Sequence, residues 1–191
     1  TQPYLYRDLN FQINAKERFL VVGENGVGKS TLLKLMMGIQ TPDRGNIRFH
    51  PNTDVAYYAQ ELEQLDLQKT VLENVSAQGC TMKQLRSVLS NFLFYEDDIN
   101  KKAEVLSPGE KARIALCRIL LQKANFLILD EPTNHLDPET QEVIGRNFRR
   151  FEGTIMVVSH NRRFVEQIGI NRVLRLPSGR VEDYTWGYTS F

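Results

Sequence analysis

Apolar residues along this chain fall into two alternating rhythms. Short β-rich runs are followed by stretches in which apolar positions recur every three or four residues. Residues 18–23 (RFLVVG) form an apolar run ending in glycine, as a buried parallel strand does, and 29–39 (KSTLLKLMMGI) has helical spacing with a stop at Gly38. Turn chemistry at 41–50 leads into a strand, and 54–60 (DVAYYAQ) reads as another. Residues 70–95 are helical in two pieces, and a capped helix spans 107–122. A buried strand at 125–130 (NFLILD), a helix at 138–151 opened by Asp137 and Pro138, and a strand at 153–160 (GTIMVVSH) come next. A short helix at 163–168 and a hairpin at 171–184 turning at Ser178-Gly179 end the pattern.

Strands alternating with helices predict an α/β fold with a mostly parallel core sheet and a small antiparallel β portion. The helical block at 70–122 interrupts the alternation, so the expectation is one domain over 1–191 with a helical lobe at 70–105. The 191 residues suffice for one sizeable core. With 41% hydrophobic and 25% charged residues and a net charge of +1, the chain is ordinary for a globular protein, and a whole-surface attraction to nucleic acid is disfavoured. Cys80 and Cys117 lack metal-ligand spacing and suggest no disulfide framework, which fits a reducing, cytoplasmic setting. No apolar run reaches the length of a membrane span, so direct membrane insertion is not expected.

Five stretches carry chemistry. GENGVGKST (23–31) matches the phosphate-loop pattern between a predicted strand and a predicted helix. Gly23, Gly26 and Gly28, with Glu24, Asn25 and Val27 between them, let backbone N–H groups wrap a phosphate. Lys29 reaches the terminal phosphates, Ser30 is suited to ligate Mg²⁺, and Thr31 continues the helix start. FLILDEP puts Asp130 and Glu131 at the carboxyl end of a buried strand, where open α/β sheets bind ligands. Asp130 is placed to hold Mg²⁺ and Glu131 to polarise an attacking water; the plain alternative is a pair of solvated acids ending a strand. His160 ends the next strand at the same edge, as a γ-phosphate sensor would, although a lone histidine is usually only a surface or core residue. Gln60 ends another strand and can reach Mg²⁺ or the water. LSPGE (106–110) reads as a helix start, with Ser107 capping, Pro108 at the first position and Glu110 closing a capping box.

Together, GENGVGKST, Gln60, LSPGE, LILDEPTNHLD and the SH dipeptide at 159–160 occur in the order of the ATP-binding cassette (ABC) ATPase domain, which the chain resembles over essentially its whole length. EPTNHLD (131–137) and SHNRRF are similar to the ABC-F subfamily, whose members carry two cassettes and mostly act on the ribosome, some protecting it from antibiotics. The resemblance implies a P-loop ATPase of ABC type that hydrolyses ATP with Mg²⁺ held by Ser30, Gln60 and Asp130. Glu131 and His160 would be catalytic, and Ser107, Pro108, Gly109 and Glu110 a signature that meets the γ-phosphate on the opposite cassette. Asp137 would lie in the loop crossing between cassettes. Pro108 stands where the family usually has glycine; it removes an N–H, but not the one attributed to Gly109.

The implied partners are a second cassette, in the same chain or as a homodimer, and the ribosome. Arg146, Arg149 and Arg150 with Arg162 and Arg163 form basic clusters suited to rRNA phosphate, or simply a solvated helix face. The family's adenine-stacking aromatic would fall before Thr1, so the chain reads as starting inside a cassette. The short block between Gln60 and Leu106 is more like a second cassette than a first. Two other readings stay open: the ATP-binding subunit of a membrane transporter, against which TNHLD speaks, and a nucleotide-gated interaction module in which hydrolysis hardly matters.

Overall fold

A computed structural model describes residues 4–59, 65–76 and 79–185. Its centre is a six-stranded sheet. The strands are β1 (Arg18–Val22), β2 (Val55–Tyr58), β3 (Phe126–Asp130), β4 (Thr154–Val158), β5 (Arg172–Arg175) and β6 (Arg180–Asp183). They lie in the order β2-β3-β4-β1-β5-β6, all parallel except β6, which returns antiparallel beside β5. The helices are α1 (Lys29–Met36), α2 (Val71–Val75), α3 (Met82–Asn91), α4 (Pro108–Leu121), α5 (Pro138–Arg149) and α6 (Arg162–Ile168).

The sheet is buried on both faces, which is why β3 and β4 are apolar at nearly every position and fully buried. Alternation along β1 sends Leu20 and Val22 to one side and Phe19 and Val21 to the other. The first side packs on α4, α5 and α6 through residues such as Ile114, Leu116, Ile144, Phe148 and Phe164. The second side packs on Leu32, Leu33 and Met36 of α1 and on Tyr6, Leu9, Phe11 and Ile13 of the leading segment. Between residues 70 and 105, α2 and α3 each open with a threonine capping box, Thr70 with Glu73 and Thr81 with Gln84. Their buried faces join the first side of the core.

One expected strand is absent. Residues 46–50 join no strand, with Ile47 and Phe49 exposed. Alternation makes a strand only where a neighbour supplies the ladder, and here Phe49 merely leans its ring on Phe126, 6.1 Å between centroids. Among the described residues the antiparallel portion is therefore the β5–β6 hairpin, with one isolated antiparallel bridge between Thr70 and Lys102. The predicted helix at 29–39 ends near Gly38, whose φ of 68° stops it. Residue 60, and with it the glutamine expected to reach Mg²⁺, lies outside the described residues.

Candidate functional site

Three strand ends build the site. Beyond β1 the chain turns through Gly23, and a side chain there would meet Val27 Cγ1 at 2.8 Å and the Leu176 carbonyl at 2.9 Å. Gly26 and Gly28 sit at φ 80° and 99°, in the left-handed region that favours glycine. Gly28 is the N-cap of α1 and, lacking a side chain, gives the helix no side-chain cap. The first N–H groups of α1 thus need an outside acceptor, and the helix dipole favours a negative one. Lys29 turns back to donate from Nζ to the carbonyls of Gly23 (2.7 Å) and Glu24 (3.1 Å). Glu24, Asn25 and Ser30 are exposed, while Val27 and Thr31 are half-buried.

Beneath the loop lies Tyr6. Its hydroxyl donates to the Gly28 carbonyl, which also accepts the Leu32 N–H at 2.9 Å. A Cβ on Gly28 would run into that phenol oxygen, so ring and glycine require each other. Burial pushes the Tyr6 phenol above its ordinary value, keeping it a protonated donor.

At the end of β3, Asp130 is buried and its carboxyl is raised by desolvation, against the pull of the Ser30 hydroxyl that hydrogen-bonds it and of Lys34 and Lys29. Among the described residues no group of three or more His, Cys, Asp or Glu forms a metal cage. A hydroxyl and one buried carboxylate at a helix start are instead the hard oxygen donors that suit Mg²⁺, which keeps waters and shares itself with phosphates.

Glu131 continues the ladder by donating its N–H to the Val158 carbonyl (2.8 Å), then leaves it at φ 46°. A non-glycine residue there is strained, and the strain turns its carboxylate toward β4. His160 Nε2 lies 3.4 Å from Glu131 Oε1, and the His160 N–H donates to Oε2 at 3.4 Å. Burial raises the Glu131 carboxyl, opposed by the His160 charge and N–H and assisted by Asp130. Gly23, Lys29 and His160 line one small cleft, so the phosphate loop and the β4 end face each other.

The loop from Glu131 turns twice and reaches Asp137. His135 adopts φ 70°, and Asp137 caps α5 by accepting from the Thr140 N–H at 2.9 Å and hydroxyl at 2.6 Å. Those two donors hold the Asp137 carboxyl below its ordinary value. The same loop meets the start of α4, where a Cβ on Gly109 would lie 2.9 Å from the His135 carbonyl. Ser107 and Glu110 form a full capping box. Ser107 Oγ accepts the Glu110 N–H at 3.3 Å, and Glu110 Oε2 accepts the Ser107 N–H at 2.8 Å and hydroxyl at 2.7 Å. Pro108 occupies the first helical position without strain.

The structure thus brings Gly23–Thr31, Asp130, Glu131 and His160 to one edge. The Ser107–Glu110 segment meets that edge where Gly109 approaches the His135 carbonyl of the 131–137 loop. Sequence reasoning gave no role in the site to Tyr6, Gln141 or Asn161. Asn161 caps α6 from the residue after His160, and its amide bonds Gln141.

The ABC transporter family matches residues 6–134. The chain is 45% identical to the putative ATP-binding protein YdiF of Bacillus subtilis over 98% of its own length and 29% of that protein. It is 38% identical to ABC transporter F family member 5 of Arabidopsis thaliana over 98% of its length and 28% of that one. The chain therefore spans about three-tenths of these relatives. Its fold is similar to the archaeal ribosome recycling factor aABCE1, solved in complex with ribosomal stalk protein aP1, with a TM-score of 0.73 and 29% identity over 85% of this chain and 32% of that one. No helix among the described residues is long and apolar enough to cross a membrane. A phosphate loop facing two acids and a histidine, in a chain matched by that family over most of its length, places this protein among the ATP-binding cassettes of the ABC family, on its ABC-F branch.

Proposed function

We propose that this chain is one of two cassettes that bind and hydrolyse ATP between them and couple that cycle to the ribosome. The observation that carries the reading is Glu131, held by left-handed backbone beside His160 across a small cleft from Lys29. Lys29 leaves the Gly23 and Glu24 carbonyls for the terminal phosphates, and the uncapped start of α1 receives them. Ser30 and Asp130 would hold Mg²⁺, which when bound offsets charge on the phosphate oxygens. The Glu131 carboxylate accepts a proton from the water that attacks the γ-phosphorus as the bond to the ADP oxygen breaks. His160 steadies the γ-phosphate from the other side.

Ser107 and the Gly109 N–H serve the phosphate held by the partner cassette, and Asp137 stands in the loop between the two. The partner is a second cassette of the same chain or a second copy, and this chain corresponds to the second cassette of a tandem protein. Arg146 and Arg149 on α5, Arg150 just after it and Arg163 on α6 are exposed cations suited to rRNA phosphate, in a cytoplasmic protein. Ribosome protection against antibiotics is the finer form of the same reading.

The test is co-sedimentation of the full-length protein, carrying Glu131→Gln, with ribosomes. Pelleting with ATP but not with ADP is expected. Equal pelleting with both nucleotides rejects the coupling to ATP, and none with either rejects the ribosome link.

A further inference from the structure

The loop from Glu131 to Asp137 and the turn bearing His160 come from different strands, and besides the Glu131–His160 contacts a pair of side-chain amides ties them together. Gln141, in the first turns of α5, donates from Nε2 to the carbonyls of Leu136 (2.8 Å) and Thr133 (3.4 Å). Its Oε1 accepts from Asn161 Nδ2 at 2.5 Å. Asn161 in turn accepts the Phe164 N–H on Oδ1 at 2.9 Å, capping α6, while its own N–H donates to Ser159 Oγ at 3.1 Å. The relay therefore runs from the two loop carbonyls through two amides into the cap next to His160. Both amides are half-buried, where a lost partner is not simply replaced by water.

The helices on either side are closely joined. A Cβ on Gly145 of α5 would lie 2.6 Å from Gln167 Cβ on α6, and the Phe148 and Phe164 rings meet edge to face, 6.2 Å between centroids. The far ends are pinned by Arg18, which donates to the carbonyls of Phe148 (2.9 Å) and Ile168 (2.7 Å). Held at the far end and packed along their length, α5 and α6 have their site ends joined by the Gln141–Asn161 contact.

We propose that Gln141 and Asn161 are positioning residues that couple the Asp137 loop to His160, so that closure of the loop on a partner cassette sets the His160 turn for hydrolysis. This rests on the paired-cassette reading above. Neither residue touches ATP; each acts through another.

Three variants separate the parts. Gln141→Leu removes both halves of the relay. Asn161→Asp keeps an acceptor to cap α6 but loses the donor to Gln141 Oε1. In Gln141→Arg/Asn161→Asp, a guanidinium has donors for both the loop carbonyls and the carboxylate, and the relay is rebuilt. In the full-length protein each single variant is expected to lower kcat about tenfold with the KM for ATP unchanged, and the double variant to recover most of that loss. Amide hydrogen exchange read alongside should show residues 133–137 and 160–164 loosening together in each single variant and tightening together in the double.

A single variant that loosens only its own segment overturns the coupling, as does a double variant no better than the singles in exchange. Unchanged kcat with both segments loosened overturns its role in turnover. A parent without ATPase activity overturns the proposed function instead, and exchange alone then decides whether the two segments are joined.

Discussion

The starts of α1 and α4 are both glycine-bearing helix N-termini, and they are built in opposite ways. α1 begins at Gly28 in a left-handed conformation with no side-chain cap. α4 begins at Ser107 in an extended conformation, with a reciprocal capping box and proline at the first position. The first leaves its N–H groups open and relies on neighbours, Tyr6 below and Lys29 folded back on the loop, to hold its shape. The second is capped from within by Ser107 and Glu110. A phosphate arriving at α1 fills an opening, whereas one arriving at α4 must displace the bond between the Ser107 hydroxyl and Glu110. On the proposed reading the open end takes the chain's own nucleotide, and the end with its own side-chain cap meets a phosphate that comes and goes with a partner.

The sharpest test leaves both helix starts intact. Glu131→Gln should lower ATP turnover by about a hundredfold or more while ATP affinity is kept, as phosphate release and calorimetry would read. Equal turnover would move the chemistry away from β3. Because burial raises the Glu131 carboxyl above 4.5, activity should rise with pH along a limb centred above that value. His160→Asn, which removes the charge that lowers Glu131, should move the residual limb to higher pH. Between the ordinary and raised values the folded protein holds a proton that the unfolded chain has lost, so stability falls as pH rises through that window. Melting curves should accordingly place Glu131→Gln above the parent at neutral pH.

The next effect breaks the α1 side alone. Lys29→Ala should weaken ATP binding by about a hundredfold, the worth of a charge-assisted contact, with little change in melting temperature. The α4 side should respond in reverse. Ser107→Ala should cost about 1 kcal/mol of stability through the lost cap, leave ATP binding to the single chain unchanged, and slow turnover of the paired cassettes. If Ser107→Ala weakened binding to the single chain, the division between own and partner phosphate would fail. Smallest is Tyr6→Phe, which removes one hydrogen bond under the phosphate loop. A loss of about 1 kcal/mol in melts or nucleotide affinity is expected.

Much of this arrangement is legible in the sequence because it is local. The apolar runs at 126–129 and 154–158 can only be strands buried on both faces, so the edge where Asp130, Glu131 and His160 gather follows from where those runs stop. The capping box at Ser107 is a pattern spanning four residues. What is not legible depends on partners distant in sequence. Residues 46–50 have strand-like alternation, but pairing needs a neighbour that no periodicity reveals. Tyr6 matters because it meets Gly28, and Gln141 because it meets Asn161; neither residue type nor spacing announces such contacts.

The place of β1 bears on how the protein is made. It lies between β4 and β5, whose residues follow it by more than a hundred positions. Arg18 bonds carbonyls as distant as that of Ile168. While this cassette is being synthesised its phosphate-loop sequence therefore appears more than a hundred residues before β4, the first strand that can pair with β1. Contacts of such long sequence separation form slowly. Until then the phosphate loop has no sheet edge to sit on, and the apolar β1 lacks its neighbours. The need for chaperone protection is thereby concentrated at the amino-terminal side of this cassette rather than spread along it.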